Sequence, residues 1–113
     1  MEETTIGPVV ARLLLESGAV HVTGGKPFIL RSGWASPVYV DVRKLISSVA
    51  ARTTLNEAAL SVVKNRIGLK EIDVITGAET AGVPYAAWLA DRLSLPLQIV
   101  RKKPLGFGRN AQI

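Results

Sequence analysis

Four cations stand close together near the end of this chain, Arg101, Lys102, Lys103 and Arg109, with no acid among residues 101–113. Residues 1–100 hold ten Lys and Arg against nine acids, so the formal net charge of +5 is a local property of the last segment. A cluster confined in this way suits one anionic ligand better than a general nucleic-acid surface. Upstream, Gly77-Ala78-Glu79-Thr80-Ala81-Gly82 has the spacing of a phosphate-cradling loop, but Val83-Pro84 stands where a nucleotide P-loop needs Lys followed by Ser or Thr. A third group, Arg31, Tyr39, Asp41 and Arg43, offers a ring and two guanidiniums. That set suits a flat anion, because guanidinium grips carboxylates bidentately. It equally suits the polar face of a hairpin.

Other chemistries are excluded by composition. The chain has no Cys and only His21, which leaves no disulfide, thiolate metal site, zinc cluster or histidine-based triad. A metal would take oxygen ligands. His21 itself reads as structural or surface-exposed.

The glycine loop must be positioned by what flanks it. Ile72, Val74 and Ile75 form a short β-branched run ending at Gly77, the pattern of a buried parallel strand. After Gly82, Pro84 suits a first helical turn, and Tyr85, Trp88, Leu89 and Leu93 recur at helical spacing until Leu95-Pro96. Leu97–Val100 is a second apolar run. The unit predicted is strand, loop, helix, strand, with parallel strands at about 72–76 and 97–101 around a helix at about 84–94. Such a loop aims helix-start N–H groups at an anion. The two glycines have a second reading, in the turn and in close helix–strand packing.

The remaining elements are shorter. Val9, Val10, Leu13 and Leu14 place one face on a helix over Ile6–Ser17, stopped by Gly18. Val20–Val22 begins an extended segment, and Phe28–Leu30 with Val38–Val42 predicts an antiparallel pair joined through Ser32-Gly33 and Ser36-Pro37. Thr54 and Glu57 have capping-box spacing ahead of a helix running to about Arg66, ended by Gly68. Pro104, Gly106 and Gly108 break the basic segment, so residues 103–110 are expected to be a mobile loop, the alternative being a solvated tail. At 113 residues and 48% hydrophobic, the chain allows one domain. No apolar run approaches a membrane span, and MEETTIGP lacks signal-peptide regions, so a cytoplasmic location is expected.

Three stretches together, RSGWASPVYVDVR (31–43), GAETAGVPYAAWLADRL (77–93) and VRKKPLGFGRNAQI (100–113), resemble the N-terminal half of orotate phosphoribosyltransferase, of the type I phosphoribosyltransferase family. The resemblance implies a Rossmann-like α/β fold, a parallel sheet flanked by helices, here incomplete, with a small N-terminal antiparallel element. It divides the single domain at about residue 46, between a helix with a hood-like β element and the first half of the α/β core. It implies transfer of a phosphoribosyl group from phosphoribosyl diphosphate to orotate, with Mg2+ present and no metal ligand assigned within this stretch. Arg31 matches the basic position near donor and orotate, and Tyr39-Val40 the pair packing on the orotate ring. Thr80-Ala81 matches the donor-contacting loop, and Arg101 and Lys102 the diphosphate contacts. The segment that follows matches a catalytic loop reaching into a neighbouring subunit, which implies a homodimer. Ala81 stands where some members have lysine. Leu105 stands where many have the loop lysine, leaving Lys103 as the candidate for that catalytic role.

The family follows this half with a strand bearing two adjacent acids and a Thr/Gly-rich ribose-phosphate loop, and nothing in this sequence matches it. The chain is therefore expected to be a fragment or truncated product, inactive by itself. Two other readings remain: a phosphoribosyltransferase-like regulator binding nucleic acid, and an inert truncated domain. The first is disfavoured because Trp34 and Trp88 are not interleaved with the basic residues.

Overall fold

The computed structural model describes residues 1–109 and 111–113. Its centre is the predicted unit. Strand β5 (Ile75–Ala78), helix α3 (Gly82–Leu93) and strand β6 (Leu97–Val100) follow one another, and β5 and β6 pair in parallel, Ile75 opposite Leu97 and Ala78 opposite Val100. The first strand begins later than Ile72. The ladder opens with Ile75 N–H donating to the Pro96 carbonyl at 2.9 Å. Pro96 has no N–H to donate, so pairing cannot extend backward through it. Gly77 is thus inside the strand, not after it.

Gly77 is where α3 comes closest to the sheet. A Cβ there would lie 2.7 Å from the Ala86 Cβ and 3.1 Å from both the Gly82 carbonyl oxygen and the Val83 Cα. The packing reading of this glycine is the correct one for Gly77. The same Cβ at Gly82 would meet nothing nearer than 3.9 Å. α3 ends on Ser94 in the left-handed conformation, φ 54°.

Helix α1 spans Glu3–Glu16, opening three residues before the expected Ile6, so that Pro8 lies inside the helix. Pro8 removes one internal hydrogen bond, while the Thr5 hydroxyl donates to the Glu2 carbonyl at 2.7 Å and holds the first turn. Helix α2 spans Val49–Val62 and continues through a wider turn, Val63–Ile67, to Gly68 at φ 90°. Its cap is Ser48, whose Oγ accepts from Ala51 N–H at 3.3 Å. The capping box at Thr54 and Glu57 is corrected accordingly. Thr54 lies within the helix, bonded to the Ala50 carbonyl, and Glu57 pairs with Arg92 of α3.

The N-terminal antiparallel element exists, but its pairing differs from the prediction. β1 (Val20–Val22) pairs with β4 (Val38–Val40), His21 opposite Tyr39, and β2 (Phe28–Ile29) pairs with β3 (Ala35–Ser36). The expected partner of Phe28–Leu30 was Val38–Val42. Two local features redirect the chain. Gly33 at φ 88° closes a tight turn in which Leu30 N–H donates to the Trp34 carbonyl at 2.8 Å. Pro37 then breaks the ladder, and the Ser36 hydroxyl both accepts from Val38 N–H and donates to its carbonyl. Past β4, Asp41 caps a 3-10 turn, Val42–Leu45.

The interior is small. Ala19 and Leu45 are fully buried, and Ala51, Ala58, Ala86 and Ala90 let the helices approach one another and the sheet. The class is α/β, a parallel pair flanked by helices with short antiparallel pairs near the N-terminus.

Candidate active site

A cleft of about 460 Å³ opens where β4, the turn between β2 and β3, the loop from β5 to α3 and the exit from β6 converge. Six of the eight residues singled out by resemblance line it: Arg31, Tyr39, Val40, Thr80, Ala81 and Lys102. Parallel strands β5 and β6 both point their carboxyl ends at this place, the usual ligand position in open α/β sheets. At the start of α3, Ala81 provides no side-chain cap, so the first-turn N–H groups are not covered by a side chain.

Arg101 and Lys103 fall outside this lining. Arg101 instead borders a shallow depression with Leu97, Gln98, Ile99 and Ile113, and its N–H donates to the Gln112 carbonyl at 2.8 Å. Arg101 thus borders the depression and Lys102 the cleft, where the chain bends after leaving β6.

Three further charged side chains line the cleft, those of Asp41, Arg43 and Glu79. Asp41 and Arg43, noted in the sequence beside Tyr39, form one chain with it: Arg43 Nε donates to Asp41 Oδ1 at 3.0 Å, and Nη2 to the Tyr39 hydroxyl at 3.4 Å. The hydrogen bond from Arg43 holds the Asp41 carboxyl below the ordinary carboxylate range, and Asp41 in turn raises the guanidinium pKa. Tyr39 is flanked by Phe28 and His21, with ring centroids 6.1 and 6.3 Å away.

Glu79 is the residue that sequence reasoning missed. Its Oε1 accepts from Lys102 N–H at 2.5 Å, while its own N–H donates to the Val100 carbonyl at 2.9 Å. One residue therefore ties the glycine loop to the root of the basic segment. An acid is not sought in an anion site; the available signal was its being the lone acid of the glycine loop.

Both acids of the cleft are engaged, Asp41 with Arg43 and Glu79 with a backbone N–H. The side chains of Arg31 and Lys102 have no hydrogen-bond or ion-pair partner among the described residues, leaving two free cations toward a ligand. Among the described residues no group of three or more His, Asp or Glu could hold a metal ion.

No family model matches the chain. Against curated proteins it is 49% identical over 112 residues to an orotate phosphoribosyltransferase of Rhizobium etli, covering 99% of this chain and 49% of that protein. It is 47% identical to the orotate phosphoribosyltransferase of Sinorhizobium medicae, with 99% and 48% covered. The chain is a relative of the orotate phosphoribosyltransferases. It spans about half the length of the curated relatives it matches. Among solved structures, orotate phosphoribosyltransferase of Aeropyrum pernix superposes with a TM-score of 0.68 at 33% identity, over 85% of this chain and 53% of that one. Leishmania donovani UMP synthase superposes with a TM-score of 0.70 at 25% identity, over 88% and 20%. The match covers 99% of this chain, the length over which the three resembling stretches are spread.

Proposed function

We propose that this chain carries the orotate-side cleft and the diphosphate grip of an orotate phosphoribosyltransferase, in which the 5-phosphoribosyl group passes from phosphoribosyl diphosphate to orotate, giving orotidine 5'-phosphate and pyrophosphate. The observation that carries this reading is the convergence of Arg31, Tyr39-Val40, Thr80 and Lys102 on one cleft of a chain related to that family.

Displacement at an anomeric carbon passes through a cation-like state and releases a strongly anionic group. The protein's work is then positioning and electrostatic stabilisation, with no side-chain nucleophile. In this reading Arg31 meets the orotate carboxylate, Tyr39 and Val40 pack on its ring, and the Thr80-Ala81 loop presents N–H groups to the donor. Lys102 meets the diphosphate. Arg101 and Lys103 lie outside the cleft lining, so their proposed contribution is made toward a second copy, with Lys103 as the catalytic loop cation of a shared homodimer site. Among the described residues there is no group of side chains that forms a metal site of its own. Magnesium is proposed to arrive bound to the diphosphate oxygens, as it commonly does in phosphate chemistry.

A loop over the donor excludes water that would hydrolyse it. The chain alone is proposed to bind ligand without turnover, since the ribose-phosphate loop that the resemblance implies has no counterpart in this sequence. Among the described residues no helix is long and apolar enough to cross a membrane. A cytoplasmic location goes with the proposed pyrimidine chemistry.

Calorimetric titration with orotate and with diphosphate tests the reading. Both are expected to bind, with Arg31→Ala weakening orotate and Lys102→Ala weakening diphosphate. Affinity for single-stranded or duplex nucleic acid exceeding that for diphosphate, and falling steeply with salt, would replace it with the regulator reading.

A further inference from the structure

A second polar cleft, of about 200 Å³, lies between α2 and α3 and is lined by Arg52, Thr53, Asn56, Trp88, Asp91 and Arg92. It shares no residue with the orotate-side cleft. Asn56 is 5% exposed, yet its carboxamide makes no hydrogen bond among the described residues. No fully buried side-chain nitrogen or oxygen lacks a partner among them. The carboxamide therefore opens onto the cleft, where a donor and an acceptor await a partner whose absence is costly.

Two charges flank it, each opposed to the dipole of its own helix. Arg52 sits in the first turn of α2, the positive end, and Asp91 in the last turn of α3, the negative end. Arg52 is fixed: one guanidinium nitrogen donates to the Ile46 carbonyl at 3.1 Å, and the group lies 5.3 Å from the Trp88 ring centroid. Neither Arg52 nor Asp91 has an ion-pair partner among the described residues, and they do not pair with each other. Arg92, the other cation of the cleft, is already taken by Glu57. A lone anion or a lone cation would satisfy one of the two charges and repel the other.

We propose that this cleft binds a small zwitterion bearing a carboxylate and an ammonium group, the chemistry of a free α-amino acid. The carboxylate meets Arg52 and the Asn56 amide hydrogens, and the ammonium meets Asp91. The space is on the order of six water volumes, enough for a molecule of that size.

The isotopically labelled full chain, titrated at constant ionic strength with glycine, acetate and methylammonium, provides the test, followed by NMR at the Trp88 indole N–H and the Asn56 side-chain amide. Saturable shifts with glycine are expected in the millimolar range, about tenfold tighter than with acetate or methylammonium. Arg52→Gln and Asp91→Asn are each expected to abolish that preference. Asp91 is exposed, so its variant keeps the fold, which an unchanged amide spectrum elsewhere verifies. Absence of a saturable shift with glycine, equal binding of the three probes, or a preference that survives both substitutions overturns the proposal.

Discussion

Asp41 and Arg43 hold one another at the mouth of the cleft, and their linkage has a definite sign. The Asp41 pKa is lowered by its hydrogen bond from Arg43, so the pair's contribution to stability is present above the ordinary carboxylate pKa and is lost as pH falls through the depressed folded value. A carboxyl NMR titration is expected to place Asp41 below ordinary aspartate, and Arg43→Gln to move it upward. An unmoved titration would show that the pair does not form in solution. Lys102 offers a second measurement. Its side chain lacks an internal partner, so Lys102→Ala is expected to weaken diphosphate binding by about 10- to 100-fold, as for one charge-assisted hydrogen bond. Lys103→Ala is expected to change binding to the isolated chain far less. At this scale Arg31, Tyr39 and Lys102 were legible because charge clustering and motif order marked them. Glu79 was not, because its role is to hold a backbone N–H of a segment 23 residues away, and no local pattern encodes that.

The β5–α3–β6 unit was legible from periodicity, because a buried strand and an amphipathic helix each impose their own spacing on the sequence. The antiparallel pairing was not. Strands of two or three residues carry little pattern, and the partner of Phe28–Ile29 was decided by Gly33 and Pro37 instead. The start of α2 was misplaced for a similar reason: Thr54 and Glu57 have the right spacing for a cap, while the cap is Ser48. Packing at this scale gives a paired prediction. Gly77→Ala forces a methyl group against Ala86 and is expected to destabilise by about 1–3 kcal/mol, as overpacking does. Gly82→Ala has space and is expected to change stability by less than about 0.5 kcal/mol. Urea unfolding of both variants distinguishes them, and equal midpoints would remove the packing argument.

The molecule as a whole is flat and open. Its radius of gyration is 16.5 Å, with extents of 45 × 43 × 24 Å. A compact chain of this length would have a radius of about 13 Å. Large apolar side chains remain uncovered, among them Trp34 at 76%, Ile29 at 71% and Phe107 at 71%. Among the described residues no third strand pairs with β5 or β6, so the pair has a free edge on each side. Such surface favours association. Sedimentation is therefore expected to show a mass above 12.1 kDa that rises with concentration. A monomer throughout the micromolar range would count against the homodimer proposal. The resemblance implies an incomplete parallel sheet, and a sheet of only two parallel strands among the described residues agrees with that expectation.

The bond between Glu79 and the Lys102 amide also bears on proteolysis. Trypsin cuts after lysine and arginine in irregular chain, and the described residues after β6 take neither helix nor strand. The Arg101–Lys102 peptide, however, contributes the N–H that Glu79 holds, and a protease must pull that peptide out before cutting it. Scission there is a clock for how often the glycine loop and the basic segment part company. Removing the clasp with Glu79→Ala should make it run faster, and a diphosphate that seats on Lys102 should make it run slower.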